Sequence, residues 1–135
     1  MSDCVFCKII NGELPSYKVY EDDFSFAFLD LNNDGNGHIL FVPKTHYENI
    51  LDCDSKILSK VMESVQKISK HLVDNCGFDG VNILNASGRD AEQTVFHLHF
   101  HILPRKKDDG FTACAILPEN TKSKEELIEI FKIKD

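Results

Sequence analysis

The stretch TVFHLHFHILPR, residues 94–105, carries histidine at every second position from His97 to His101. Alternation with period two is the mark of a β-strand, whose side chains point to opposite faces in turn. On that reading His97, His99 and His101 share one face, while Phe96, Leu98, Phe100 and Ile102 share the other. The apolar face needs a partner to bury it. Ile57, Leu58, Val61, Met62, Val65, Ile68 and Leu72 fall at i, i+3, i+4 spacing between Asp54 and Gly77, which predicts a long amphipathic helix capped by Asp54.

Outward from this pair, residues 4–11 read as a short helix stopped at Asn11-Gly12. Residues 17–30, YKVYEDDFSFAFLD, read as two strands around the acidic turn Glu21-Asp22-Asp23, and HILFVP (38–43) as a buried strand closed by Pro43. GVNILNAS (80–87) and TVFHLHFHIL (94–103) read as further strands, and 123–134 carries a weak helical stripe. Short helix, strands, long helix, strands is the order of an α+β domain with a mostly antiparallel sheet. A chain of 135 residues suits one domain over 1–135, with a core at about 4–112 and a tail over 113–135.

A net charge of −7 argues against nucleic acid or anionic lipid as a partner. No stretch is apolar for the length of a membrane span, and the N-terminus does not read as a signal peptide, so the cytoplasm is the expected compartment. Cys4, Cys7, Cys53, Cys76 and Cys114 are odd in number, which makes a disulfide framework a poor reading and leaves metal binding or burial.

One strand histidine is most simply a solvated or hydrogen-bonded side chain. Three on one face, about 6–7 Å apart along the strand, repel one another whenever they protonate near the ordinary pKa of about 6.5. Two chemistries compete: a metal site that activates water, or an imidazole nucleophile with neighbours that handle protons and anionic oxygens. Metal–nitrogen bonds of about 2.0–2.1 Å leave residues i and i+4 of one strand little room to converge on one ion, which favours the nucleophile, with an outer histidine free to serve a metal.

At HLHFHIL the chain resembles the histidine triad (HIT) nucleotide hydrolases and transferases, whose signature is His-x-His-x-His with apolar x. The resemblance extends through CVFCKIINGELPS (4–16), FAFLD (26–30), GHILFVPKTH (37–46), NILNASGRDAEQTVFHLHFHILPR (82–105) and DDGF (108–111). It implies a HIT-like fold and hydrolysis of purine nucleotide conjugates, such as nucleoside phosphoramidates, at the α-phosphorus. His99 would be the nucleophile that forms a nucleotidyl-histidine, and AMP or GMP the product. The same resemblance places Asn85, His101, Gln93 and Thr94 around the phosphate, with the Thr94 hydroxyl assisting the leaving group and His38 supporting from the neighbouring strand. Val5, Phe6, Ile9, Phe28 and Leu31 would surround the base and Asp30 would hold the ribose hydroxyls, although each also reads as core or as a turn residue.

Cys4-x-x-Cys7 alone is a weak metal signal. Bacterial-type HIT proteins with this pair complete a zinc tetrahedron at the positions of His46 and His97, which implies a structural zinc, a closed site without catalytic metal, and burial for the other three cysteines. The resemblance further implies a homodimer with the long helix and a strand at the interface. Two departures stand out: Glu92 occupies a position where relatives carry glycine, and the chain has no tryptophan in its tail. LPRK after the triad resembles dinucleoside polyphosphate hydrolases. Glu92 also leaves open a nucleotide-binding protein without catalysis, and the histidines a catalytic-metal hydrolase, to be separated by product, covalent intermediate and chelator sensitivity.

Overall fold

The computed structural model describes residues 3–32 and 35–134. Helix α1 spans Val5–Ile10, followed by strands β1 (Lys18–Glu21), β2 (Ser25–Leu29) and β3 (Ile39–Pro43), helix α2 (Ser55–Asn75), strands β4 (Gly80–Leu84) and β5 (Phe100–Arg105), and helix α3 (Lys124–Phe131). The five strands form one sheet in the order β1-β2-β3-β5-β4, antiparallel at every pairing. This is the α+β architecture with a long packing helix that the sequence predicts.

The β1–β2 turn is built by Asp22, whose carboxylate accepts the backbone N–H groups of Phe24 and Ser25 at 2.8 Å and the hydroxyls of Tyr20 and Ser64. Ser64 lies on α2, so the hairpin turn is tied to the helix as it forms. Asp54 caps α2 by accepting from the N–H groups of Lys56 and Ile57, satisfying two of the donors that a helix start leaves unpaired.

Strand alternation gives the sheet two apolar faces. Ala27, Ile39, Phe41, Leu98, Phe100 and Ile102 pack against Val61, Val65, Ile68 and Leu72 of α2. Phe26, Phe28, Leu40 and Val42 point the other way and pack with Phe6 of α1. Phe41 is wholly buried, and truncating it to alanine would cost about 3–5 kcal/mol by lost transfer energy and the cavity left behind. Because α1 has only 6 residues, it covers only part of its face, and the uncovered part becomes a pocket.

Several sequence expectations are corrected. The histidine-bearing strand begins at Phe100, not at Thr94; residues 95–97 are bends. Its partner β3 ends at Pro43, which has no N–H to continue a ladder, and the Leu98 N–H instead bonds the Tyr47 carbonyl at 2.7 Å. Strand β4 likewise stops at Leu84. Phe96 leaves the core and lies under the Arg89 guanidinium. Met62 falls on the outer flank of α2 and is exposed, as are Cys76 at the end of α2 and Cys114 in the tail, while Cys53 packs partly buried against the core. The tail helix α3 is started by a capping box between Ser123 and Glu126, yet buries none of its residues. Among the described residues no helix is long and apolar enough to cross a membrane.

Candidate active site and metal centre

The sheet register sets out the site. Phe28 pairs with Leu40 and Leu40 with His101, so the three stand in one row on the face toward α1. An apolar surface and an imidazole are thereby neighbours. Val5, Phe6, Ile9, Phe28, Asp30 and Leu31, all expected around a nucleoside, line a pocket of about 360 Å³ together with Pro15, Ser16, Leu29, Asn32, Leu40 and Val95. The second group went unrecognised in the sequence. Leu40 was accessible through its alternation with His38; Val95 and Ser16 left no local signal.

His99 is buried, and its Nδ1 lies 2.7 Å from the His97 carbonyl oxygen. A carbonyl only accepts, so Nδ1 carries the proton and Nε2 is left with its lone pair. Burial pushes the His99 pKa below its ordinary value; the bond to His97 partly opposes this and the nearby His38 adds to it. Phe6 meets the His99 ring edge-on at 5.2 Å between centroids, joining the pocket wall to the imidazole.

His101 leans toward His99, with ring centroids 5.0 Å apart, closer than an extended strand would place them. Its Nδ1 contacts His38 Nε2 at 2.7 Å, and His38 Nδ1 stands 3.4 Å from an Asp30 carboxylate oxygen. Asp30 favours the proton on the facing His38 nitrogen, so His38 Nε2 accepts from His101 Nδ1–H. Burial, and then His99 and His38, push the His101 pKa down to about 4. Asp30 also accepts the Asn32 N–H at 3.0 Å, so it is a turn residue and a pocket residue together.

The loop before the triad is built around Gln93. Its Oε1 accepts from Asn49 and from the Gly88 N–H, and its Nε2 donates to the carbonyls of Glu48 and Val95. The buried amide thus points inward with its hydrogen bonds made and ties together the backbone on either side of it. Thr94 beside it is exposed. Asn85 donates to the His99 carbonyl at 2.9 Å and accepts from Ser87, taking over where β4 ends. Glu92 is exposed with φ 71°, the left-handed conformation that glycine adopts without penalty.

His97 is wholly buried. Its Nε2 donates to the Pro43 carbonyl at 2.9 Å, leaving Nδ1 bare. Cys4 Sγ lies 3.3 Å from that nitrogen and Cys7 Sγ 3.6 Å; His46 Nδ1 is 3.1 Å from it and 3.4 Å from Cys7 Sγ. A tetrahedral ion with Zn–S near 2.3 Å and Zn–N near 2.0–2.1 Å needs S···N edges of about 3.5 Å and N···N edges of about 3.3 Å. The four donors, all within 4.8 Å of one another, fit a metal of that size and softness. The Pro43 carbonyl is the outer partner that a ligating imidazole ordinarily has. Without a cation, burial raises the Cys7 thiol, as does its neighbour Cys4, and lowers His97 to about 4. A bound cation would draw off the thiol protons and reverse that preference.

The HIT domain family model matches residues 11–108. A HIT-like protein of Borreliella burgdorferi is 52% identical over 113 residues, covering 82% of this chain and 81% of its own length. The adenosine 5′-monophosphoramidase of Saccharomyces cerevisiae is 38% identical over 105 residues, covering 78% of this chain and 64% of that protein. The crystal structure of a zinc-bound histidine triad protein from Mycobacterium smegmatis superposes with a TM-score of 0.77 at 34% identity, covering 83% of this chain and 81% of its own. With the family model matched over residues 11–108 and a relative 52% identical over 82% of this chain, the protein belongs to the histidine triad family.

Proposed function

We propose that the protein hydrolyses purine nucleoside 5′-phosphoramidates and related nucleotide conjugates at the α-phosphorus, through a nucleotidyl-His99 intermediate. The observation that carries this reading is the 2.7 Å bond from His99 Nδ1–H to the His97 carbonyl, which leaves Nε2 as a neutral nucleophile. In the first step Nε2 bonds to phosphorus as the P–N bond to the leaving amine breaks, and the Thr94 hydroxyl passes to the amine a proton that it regains from solvent. In the second, water attacks phosphorus in line as the P–Nε2 bond breaks, the proton water loses returns to solvent, and AMP or GMP departs with the neutral imidazole restored. The arriving anionic phosphate draws a proton onto His101 Nε2, whose Nδ1–H stays bonded to His38, and His101 and Asn85 then hold the non-bridging oxygens, where stabilising developing charge matters most. Gln93 holds the loop that carries Thr94. The purine occupies the pocket beside Phe6, Ile9 and Phe28, and Asp30 accepts from the ribose hydroxyls. The phosphoramidase activity in the name of the yeast relative supports this substrate class.

Cys4, Cys7, His46 and His97 hold a zinc that fastens α1 to the sheet and, with four protein ligands, keeps no position open for water. A second copy pairs along α2 and the edge strand β4, where Ile83 and Leu84 are exposed. The deciding experiment is release of AMP from adenosine 5′-phosphoramidate by wild-type protein and His99→Ala, with chelator throughout, and mass spectrometry of acid- or base-quenched wild-type enzyme. Turnover confined to the wild type, with a nucleotidyl adduct on His99, supports the reading; equal rates in both proteins refute it.

A further inference from the structure

The ladder between β3 and β5 runs only from Ile39↔Ile102 to Phe41↔Phe100. His38 lies just beyond its end, so backbone pairing with β5 does not hold it against His101. Two residues upstream, the Asn36 side-chain amide donates to the Pro104 carbonyl of β5 at 3.2 Å and to Asp109 at 2.9 Å. Asp109 is gripped in turn by a two-pronged pair with Arg105, Nε to Oδ2 and Nη2 to Oδ1, both at 2.8 Å. The Asp109 side chain is only 7% exposed, so this pair is shielded from solvent in a way that surface pairs are not. Arg105 also lies 3.8 Å over the Phe111 ring, which packs so closely on Gly35 that a Cβ there would sit 3.0 Å from it. Arg105 and His101 occupy the same face of β5, four residues apart.

We propose that Asn36, Arg105 and Asp109 form a positioning clamp that sets the His38–His101 contact and, through it, the orientation of His101 toward the phosphate. The catalytic consequence rests on the phosphoramidase reading; the geometric claim does not. Gly37, with φ 121°, turns the chain from the clamp into β3, so a shift at Asn36 passes to His38 over a single residue. These residues touch no reacting atom and act only through the histidine pair.

The test uses the full chain carrying Asn36→Ala, which removes both donors, and Asn36→Asp, which keeps the size but sets a carboxylate against Asp109. Arg105→Lys serves as a third variant should either fail to fold. Two measurements are made: the tautomers of His38 and His101 by nitrogen-15 NMR of the imidazoles, and kcat and KM for adenosine 5′-phosphoramidate. In the wild type His101 is protonated at Nδ1 and bonded to His38. In the variants that signature is lost, kcat falls about tenfold, and KM stays within about twofold, since nucleoside contacts are untouched. An unchanged signature, or an unchanged kcat in an active enzyme, overturns the clamp. Should the wild type itself release no AMP, the phosphoramidase reading fails and the nitrogen signature still decides whether the clamp exists.

Discussion

The carbonyl oxygen of His97 sits 2.7 Å from Nδ1 of His99, while the His97 ring is turned away into the Cys4–Cys7–His46 cluster. One residue therefore serves two neighbours: its side chain completes the four-donor cluster and its backbone fixes the tautomer of the imidazole two positions on. The cluster is thereby linked to His99 through the His97 backbone.

The pH dependence follows from burial. Burial holds His101 at about 4, so it remains neutral as pH falls through 6, and shifts His99 below its ordinary value in the same direction. The acid limb of kcat/KM for phosphoramidate hydrolysis should therefore lie below pH 6.5. Folding stability moves in the same direction: the unfolded chain takes up these protons first, so stability is full above pH 6.5 and declines from there toward pH 4. An acid limb centred at 6.5 or higher would show that the imidazoles are not held in this environment.

Removing the metal should loosen α1. With free zinc about a thousandfold above its Kd, the bound ion adds about 4 kcal/mol, on the order of 10 °C in Tm. Differential scanning calorimetry with and without a strong chelator, alongside Cys4→Ser and Cys7→Ser, measures this. The expected result is one zinc per chain in the wild type, none in the variants, and a matching loss of Tm. A chelated protein with unchanged Tm would mean that the four donors are merely buried together.

Glu92 holds a left-handed backbone at φ 71°, a conformation that glycine adopts without penalty. Holding a side chain there costs roughly 1 kcal/mol, while glycine returns part of that as entropy to the unfolded chain. Glu92→Gly should then raise unfolding free energy by about 0.5 kcal/mol in urea titrations. Because the carboxylate is exposed and screened by water, kcat should change less than threefold. A tenfold rise in kcat would show instead that the charge faces the phosphate.

How far the sequence could be read depended on how local each signal was. Period-two histidines and the 3.6-period stripe of α2 are properties of a few adjacent turns or residues, so the fold class and the face carrying His99 and His101 were legible. Family resemblance added what spacing alone left open, since nothing between Cys7 and His97 says that they meet. The strand ends were not legible because Pro43 terminates the ladder from across the sheet. The setting of Gln93 was hidden for a similar reason: its partners Asn49, Glu48, Gly88 and Val95 come from separate segments, and only their convergence turns the amide inward. Arg105 and Asp109 read as ordinary surface charges until Asn36 is placed between them.

Asp30 offers a last test, because its two structural duties leave a distinct signature. One oxygen accepts from Asn32 N–H and the other stands 3.4 Å from His38, while the residue lines the pocket. If it also accepts from the ribose, each charge-assisted hydrogen bond lost costs about 1.5–3 kcal/mol, on the order of 10- to 100-fold in affinity. Calorimetric titration of AMP and 2′,3′-dideoxy-AMP into wild type and Asp30→Ala separates the duties. The variant should lose affinity for AMP by at least tenfold while binding the dideoxy nucleotide nearly as the wild type does. Equal losses for both ligands would mean that Asp30 supports the pocket through its turn and through His38 and makes no bond to the sugar.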